Sequence, residues 1–275
     1  MKGSIRMGLS GAVFALLVGL AGTAAAQDET QVVPFSDPAR IGKVEVQLLS
    51  GAITVRGENR RDVSVVMRGG PPRPAGDRPA PPAGMRRLTP APGFEITEER
   101  NEIKIESTSM RNGPGSLEIR VPSKTNLELS SVNGGTITVD NVEGELEIQN
   151  VNGAVVLTNV AGSVVANSTN GGVTATLSRV TGDKAMAFTS LNGKVDVTMP
   201  ATIKANLKMR SDNGDIFTDF DVQLRQGTPA APGTTRNNGR YRVEVNRSIL
   251  GSVNGGGPEI ELRSFNGSIF LRKGQ

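Results

Sequence analysis

The stretch Ser131-Val132-Asn133-Gly134 returns six more times along the chain, and this repetition decides the fold. All seven copies end in Asn-Gly, and six of them begin with Ser. The other copies are Asn150-Val151-Asn152-Gly153, Ser168-Thr169-Asn170-Gly171, Ser190-Leu191-Asn192-Gly193, Ser211-Asp212-Asn213-Gly214, Ser252-Val253-Asn254-Gly255 and Ser264-Phe265-Asn266-Gly267. The first five asparagines are 19, 18, 22 and 21 residues apart. A period near 20 residues indicates a repeat architecture, in which similar units stack on one another.

A weaker set of glycines lies near the middle of each period, at Gly144, Gly162 and Gly182. Each unit therefore contains two strands and two turns. The second and fourth residues after a turn glycine are usually apolar, and polar residues stand between them. The residue two before the glycine is often apolar too. This alternation, in short runs bounded by Gly and Asn, is typical of half-buried strands.

Two all-β folds fit such strands. Asn-Gly is a strong hairpin signal, which favours an antiparallel β-meander or sandwich. The strong turn recurs only at every second turn, however, which favours a β-solenoid with about 20 residues and two strands per coil. In the solenoid, the corner glycines are expected to supply positive φ angles, and the asparagine amides to hydrogen-bond along the stack.

The termini and loops give the expected domain organisation. Lys2 and Arg6 precede an apolar run and a group of small residues ending at Ala26, as in a secretory signal peptide over 1–26. A flexible N-terminus over 27–43 and one β-strand repeat domain over 44–273 are expected to follow. A proline- and arginine-rich loop at 69–93 and a flexible loop at 225–240 interrupt that domain. These features predict an exported protein of the periplasm or cell surface, with no transmembrane segment in the mature chain.

The composition excludes several kinds of chemistry. The chain has no His and no Cys, so Ser-His-Asp catalysis, Cys-His catalysis and ordinary zinc sites are excluded. It also lacks the phosphate-binding glycine motifs, so no cofactor is expected. The formal charge of +4 falls to +2 without Lys2 and Arg6, which is too small to predict nucleic-acid binding.

Carboxylates offer the best catalytic candidates. Asp212 and Asp215 flank Asn213-Gly214, and Asp219 and Asp221 follow closely. Asp212, Asp215 and Asp219 are candidates for polysaccharide cleavage, and Asp212 and Asp215 for a weak Ca²⁺ site. A polar turn on a solvated face explains the same residues. With one Tyr and no Trp, a dedicated aromatic platform for sugars is not expected.

Arginines in and beside the proline-rich loop are candidate contacts to an acidic polymer or to lipid headgroups, although a solvated loop has the same composition. They are Arg68, Arg73, Arg78, Arg86 and Arg87.

The chain resembles a family of bacterial β-strand-repeat domains of unknown function known as "putative adhesin" domains. The resemblance covers about 44–272 and depends on the serial Asn-Gly units and on two strand motifs, Leu49-Ser50-Gly51-Ala52-Ile53-Thr54-Val55 and Leu117-Glu118-Ile119-Arg120-Val121-Pro122. It implies adhesion and supplies no catalytic motif. We therefore expect a non-enzymatic, adhesin-like cell-envelope or secreted protein that binds a protein, a surface polysaccharide or copies of itself through its polar outer face. The alternatives are a carbohydrate-active β-helix enzyme and an envelope-stress or signalling accessory protein.

Overall fold

The computed structural model describes residues 29–68, 94–107, 116–180, 184–225, 235–237, 240–242 and 248–274. The predicted signal peptide over 1–26 and the proline-rich loop over 69–93 lie outside these residues. The described elements are strands: β1 (Glu29–Pro34), β2 (Gly42–Glu58), β3 (Asp62–Arg68), β4 (Phe94–Glu99), β5 (Glu102–Ser107), β6 (Ser116–Pro122), β7 (Thr125–Asp140), β8 (Glu143–Asn152), β9 (Val155–Ser168), β10 (Val173–Val180), β11 (Met186–Asn192), β12 (Val195–Pro200), β13 (Ala205–Asn213), β14 (Ile216–Thr218), β15 (Gln223–Leu224), β16 (Thr235–Asn237), β17 (Arg240–Arg242), β18 (Ile249–Val253), β19 (Glu259–Asn266) and β20 (Ile269–Gly274).

Successive coils lie parallel and in register. Leu127 pairs with Leu146 of the next coil. In the same way, Val155 pairs with Val173, which lies in the coil that follows that of Val155. Parallel strands joined by short corners cannot form a meander, because a meander needs antiparallel neighbours. The predicted β-solenoid is therefore confirmed, and the meander alternative is wrong.

Each coil contributes one strand segment to each of two sheet faces. Face A holds the first segment of each coil in chain order: β5, the first half of β2, the first half of β7, β8, the second half of β9, β11, β19 and β13. Face B holds the second segment: β6, the second halves of β2 and β7, the first half of β9, β10, β12, β20 and β14.

The core is a narrow apolar spine between the two faces. On face A, one column of buried side chains runs from Leu129 through Ile148, Ala166, Phe188 and Leu262 to Met209. On face B, Val139, Leu157, Ala175, Val197 and Leu271 form a matching column. These residues include the apolar positions that the two-residue alternation marked as inward. Burying them from water provides the main force that holds the coils together.

The order of the coils in space differs from their order in the chain. The stack runs 102–107 with 116–122, then 42–58, 125–140, 143–158, 163–176, 186–200, 259–274 and 205–218. At each end of the stack, the last two coils therefore stand in the reverse of their order along the chain. The last coil of the chain lies inside the stack, between the coils at 186–200 and 205–218.

Antiparallel strands flank the stack at both ends. β4 pairs with β5 in a hairpin, whose turn residues Arg100 and Asn101 have φ angles of 55° and 69°. β1 pairs with β3, which pairs with β6. The segment 27–43, expected to be flexible, thus contains a paired strand. The segment 225–240, also expected to be flexible, contains β16, which pairs with β17.

Candidate binding surface

Six corner asparagines form a continuous ladder of side-chain hydrogen bonds along the edge of the stack. In each bond, an amide nitrogen donates to the amide oxygen of an asparagine in the adjacent coil. The bonds are Asn152 to Asn133 (3.1 Å), Asn170 to Asn152 (2.8 Å), Asn192 to Asn170 (2.8 Å), Asn266 to Asn192 (2.8 Å) and Asn213 to Asn266 (2.9 Å). The predicted role of the amides along the stack is thereby confirmed. Asn254 is outside the ladder and donates to the carbonyls of Ala201 and Ile203.

Five of the six serines that open the repeats form a second ladder beside the first, and all of these five except Ser211 are buried. Each hydroxyl donates to the carbonyl oxygen of a corner glycine in the neighbouring coil: Ser131 to Gly51 (3.3 Å), Ser168 to Gly153 (2.9 Å), Ser190 to Gly171 (2.8 Å), Ser264 to Gly193 (2.9 Å) and Ser211 to Gly267 (2.9 Å). In the coil without a serine, the Asn150 amide donates to Gly135 and Ala154. The serines thus satisfy carbonyls that the corners would otherwise leave unpaired.

The expected reason for glycine at the corners was wrong. Among the described glycines, positive φ angles occur at Gly51, Gly162, Gly255 and Gly256, so only one repeat corner, Gly255, has the expected conformation. The other corner glycines are required because neighbouring corners approach very closely. A Cβ atom at Gly193 would lie 2.5 Å from the carbonyl oxygen of Gly171.

A second asparagine pair stabilises the opposite edge, which the sequence analysis did not identify. Asn141 and Asn159 both have positive φ angles, of 57° and 51°. The Asn159 amide donates to Asn141 Oδ1 at 3.0 Å, and the Asn141 amide donates to the carbonyl of Gly57 at 2.9 Å. The available signal was an asparagine after an alternating segment, because Asn tolerates the left-handed region. Asn141 follows β7, and Asn159 lies within β9 between its two halves.

A groove of about 500 Å³ opens on the outside of face A, beside the asparagine ladder. Its floor contains short side chains from two adjacent coils: Asn167 of β9, Thr169 directly after β9, and Thr189 of β11. Longer side chains rise on the two outer strands. Gln149 and Val151 of β8 form one wall, and Arg263 and Phe265 of β19 form the other. The groove exists because the short side chains of Asn167, Thr169 and Thr189 lie between longer side chains, which include Leu191 of β11 itself.

Three apolar side chains at this groove are unusually exposed for their type: Val151 (38%), Leu191 (45%) and Phe265 (43%). All three occupy the second position of the repeat, between the buried Ser or Asn and the laddered Asn. The sequence analysis treated this position as part of the apolar pattern. Since the serine before it is buried, strict alternation turns the second position outward. Val142 and Val160, beside the weaker glycines, are buried as expected.

Charged side chains on face A form ion pairs across coils. Lys43 Nζ lies 2.7 Å from Glu128 and 3.0 Å from Glu102, in the coils on either side. These hydrogen bonds raise the pKa of Lys43. Burial raises the pKa of Glu45, but hydrogen bonds from Lys104 and Gln47 outweigh burial, so its pKa is lower than usual. These charges are paired with one another and do not form a free charged site.

On face B, Asp196 accepts a hydrogen bond from Arg272 of the adjacent coil at 2.8 Å and one from Lys194 at 3.1 Å. Burial raises the pKa of this carboxyl group, but the two cationic donors lower it by more. Arg272 also lies over the ring of Phe270, which stacks on Phe217 with ring centroids 5.1 Å apart.

The candidate carboxylates occupy different parts of their coil. Asp212 lies in β13 before the corner, where its Oδ1 accepts a 2.8 Å hydrogen bond from Arg210. Asp215 follows the corner, and its backbone N–H donates to Ser268. Asp219 and Asp221 come after β14, and Asp219 accepts from the backbone N–H of Lys273. Among the described residues, no group of three or more acidic side chains is placed to hold a metal ion.

The arginine candidates lie largely outside the described residues. Arg68 ends β3, and only its backbone is described. Arg73, Arg78, Arg86 and Arg87 belong to the undescribed segment, so their proposed contact with a polyanion stays a prediction. The described part of the chain contains no helix of the length and hydrophobicity needed to cross a bilayer.

These features define a two-faced parallel β-solenoid whose coils are joined at one edge by asparagine and serine ladders. The chain belongs to the Toastrack DUF4097 family, whose model matches residues 21–249. This match confirms the resemblance to bacterial repeat domains of unknown function.

Two solved structures are similar to the chain. One is a "putative cell adhesion protein" from Clostridium sporogenes, at 11% identity and a TM-score of 0.40, covering 90% of this chain and 100% of the other. The second is a "putative adhesin" from Bacteroides fragilis, at 11% identity and a TM-score of 0.30, covering 90% and 98%. Comparison with curated proteins gave no match.

Proposed function

We propose that this protein is a non-enzymatic binding protein of the cell envelope, exported by the segment 1–26, and that it holds its partner in the groove on face A. The observation that carries the proposal is the exposure of Val151, Leu191 and Phe265 around one concave surface. Apolar side chains grouped at a groove are a common feature of interaction sites, because a partner that covers them removes apolar area from water.

The rigidity of the solenoid supports this role. The strands beneath the groove are hydrogen-bonded on both sides, and the two ladders fix the corner beside it. A surface held in this way binds without first losing conformational freedom, which lowers the entropic penalty of association. The dispersed positions of Asp212, Asp215 and Asp219 give no comparable support to the enzymatic alternative.

Site-specific photocrosslinking tests the proposal. A photoreactive phenylalanine analogue replaces Leu191 in the groove, and in a matched control it replaces the exposed Thr176 on face B. Each variant is irradiated with envelope preparations from cells that produce the protein. We expect discrete crosslinked products from position 191 only, and fewer of them when Phe265→Ala is added. Equal labelling from both positions, or none from position 191, would refute the proposed surface.

A further inference from the structure

We infer that the groove on face A binds a glycan chain that carries carboxylate groups, with Arg263 contacting a carboxylate and Phe265 packing against a sugar ring. This inference rests on the proposed function, because it names the ligand class of the same groove.

The position of the groove excludes one common mode of peptide recognition. β8, β9, β11 and β19 each pair with a strand on both sides, within face A. Their backbone N–H and C=O groups are therefore engaged, and an extended peptide cannot add to the sheet at this point. A ligand in the groove must be recognised by side chains alone, which favours a molecule that carries its own dense set of hydrogen-bonding groups.

The lining contains such complementary side chains. Asn167 offers an amide, Thr169 and Thr189 offer hydroxyl groups, and Gln149, whose amide nitrogen donates to Glu147 at 3.1 Å, offers its amide oxygen. Amides and hydroxyls both donate and accept hydrogen bonds, as sugar hydroxyls do. Phe265, 43% exposed, offers an apolar surface to the C–H groups of a sugar ring. An aromatic contact for a sugar was not expected from the sequence, because the chain has one Tyr and no Trp.

The charge of the groove specifies an acidic ligand. Arg263 is the one charged residue in the lining. Within the described part of the chain, no carboxylate forms an ion pair with it. Its register neighbours in the adjacent coils are Thr189 and Arg210, and Arg210 forms an ion pair with Asp212. A guanidinium group binds a carboxylate through two parallel hydrogen bonds, a geometry that a planar sugar carboxylate matches. One cation among amides and hydroxyls suits a chain with separated carboxylates better than a dense polyanion such as nucleic acid.

The test measures binding of uronate oligosaccharides to the full chain by isothermal titration calorimetry. The probes are oligomers of polygalacturonate, alginate and hyaluronate, together with the methyl ester of each, which keeps the sugar backbone but removes the charge. We expect at least one acidic oligomer to bind, with its methyl ester at least about tenfold weaker, because esterification removes the charge that a charge-assisted hydrogen bond from Arg263 requires.

Three variants locate the site. Arg263→Gln and Phe265→Ala should each weaken binding about tenfold, as expected for central contacts of an interface. Arg56→Gln, a matched removal of an exposed arginine on face B, should leave the affinity within twofold of wild type. Unchanged thermal midpoints would show that all three variants fold normally.

Each outcome decides the inference. Equal binding of acid and ester, an equal loss in Arg56→Gln and Arg263→Gln, or no binding of any acidic oligomer would overturn it. If the last result came with selective crosslinking from position 191, the proposed function would stand and only the glycan assignment would fail. If crosslinking were absent as well, both would fail.

Discussion

The substitution Gly171→Ala tests whether close approach between corners, rather than backbone conformation, requires glycine in the repeat. A Cβ atom at this position would lie 2.5 Å from the carbonyl carbon of Gly153 and 2.8 Å from the nitrogen of Ala154. Since carbon atoms pack at about 3.5–4.0 Å, the two coils would have to separate locally by about 1 Å.

That separation would break the hydrogen bonds that meet at this corner. The Asn170 backbone N–H donates to Val151 at 2.8 Å, and its side-chain amide donates to Asn152 at 2.8 Å. Lengthening these bonds by about 1 Å places them beyond normal hydrogen-bond range. Two or three lost bonds at about 1 kcal/mol each predict a destabilisation of about 2–3 kcal/mol. For a domain of this size, the thermal midpoint should fall by about 4–12 °C.

Gly172→Ala is the matched control, since it adds the same methyl group one residue later. There the nearest atom, the carbonyl oxygen of Lys194, is 3.1 Å away, and the backbone requires no positive φ angle. We expect a drop of less than about 2 °C, because a small adjustment of the neighbouring backbone accommodates the methyl group. Thermal unfolding followed by far-ultraviolet circular dichroism measures both variants. Equal midpoints for the two would refute the argument from close approach.

Three further predictions concern the ladders and the ion pairs. Asn192→Ala removes two ladder bonds and should lower the free energy of unfolding by about 1–2 kcal/mol in urea titrations, whereas Asn167→Ala, outside the ladder, should change it by less than about 0.5 kcal/mol. Ser264→Ala leaves the part-buried carbonyl of Gly193 without its hydroxyl donor and should cost about 1–3 kcal/mol by the same assay; a neutral result would show that the serine ladder does not stabilise the stack. Burial raises the pKa of Asp196 and the hydrogen bond from Arg272 lowers it, with a net pKa below the usual value. The ionised carboxylate therefore stabilises the fold above about pH 4, and this stabilisation is lost as the pH falls through the folded-state pKa. Asp196→Asn should therefore reduce the fall in the free energy of unfolding below about pH 4. If the free energy of unfolding of the variant fell as steeply below about pH 4 as that of wild type, the proposed role of Asp196 would be contradicted.

Part of the binding surface was predictable from the sequence, and part was not. The asparagine ladder followed from the period of the repeat, because equal residues in stacked coils become neighbours. The outward direction of Leu191 and Phe265 was missed, although the serine before each of them, present in six of the seven repeats, carried the signal. The groove also needed knowledge of which coils are adjacent, since Arg263 is more than 70 residues from Thr189 in the chain but lies beside it in register.

The sequence by itself determined the repeat of about 20 residues and favoured the parallel coil over the antiparallel meander. A repeat of about 20 residues with the same corner in each unit is satisfied when asparagine lies over asparagine and serine lies against glycine, and only in-register parallel stacking does both. The tertiary structure decided the order of the coils. Each corner is compatible with any other, and a longer connecting loop adds little closure entropy, so local sequence does not specify the neighbour of a terminal coil. Packing of the apolar spine placed the coil at 259–274 inside the stack, and that placement brought Arg263 and Phe265 to the groove.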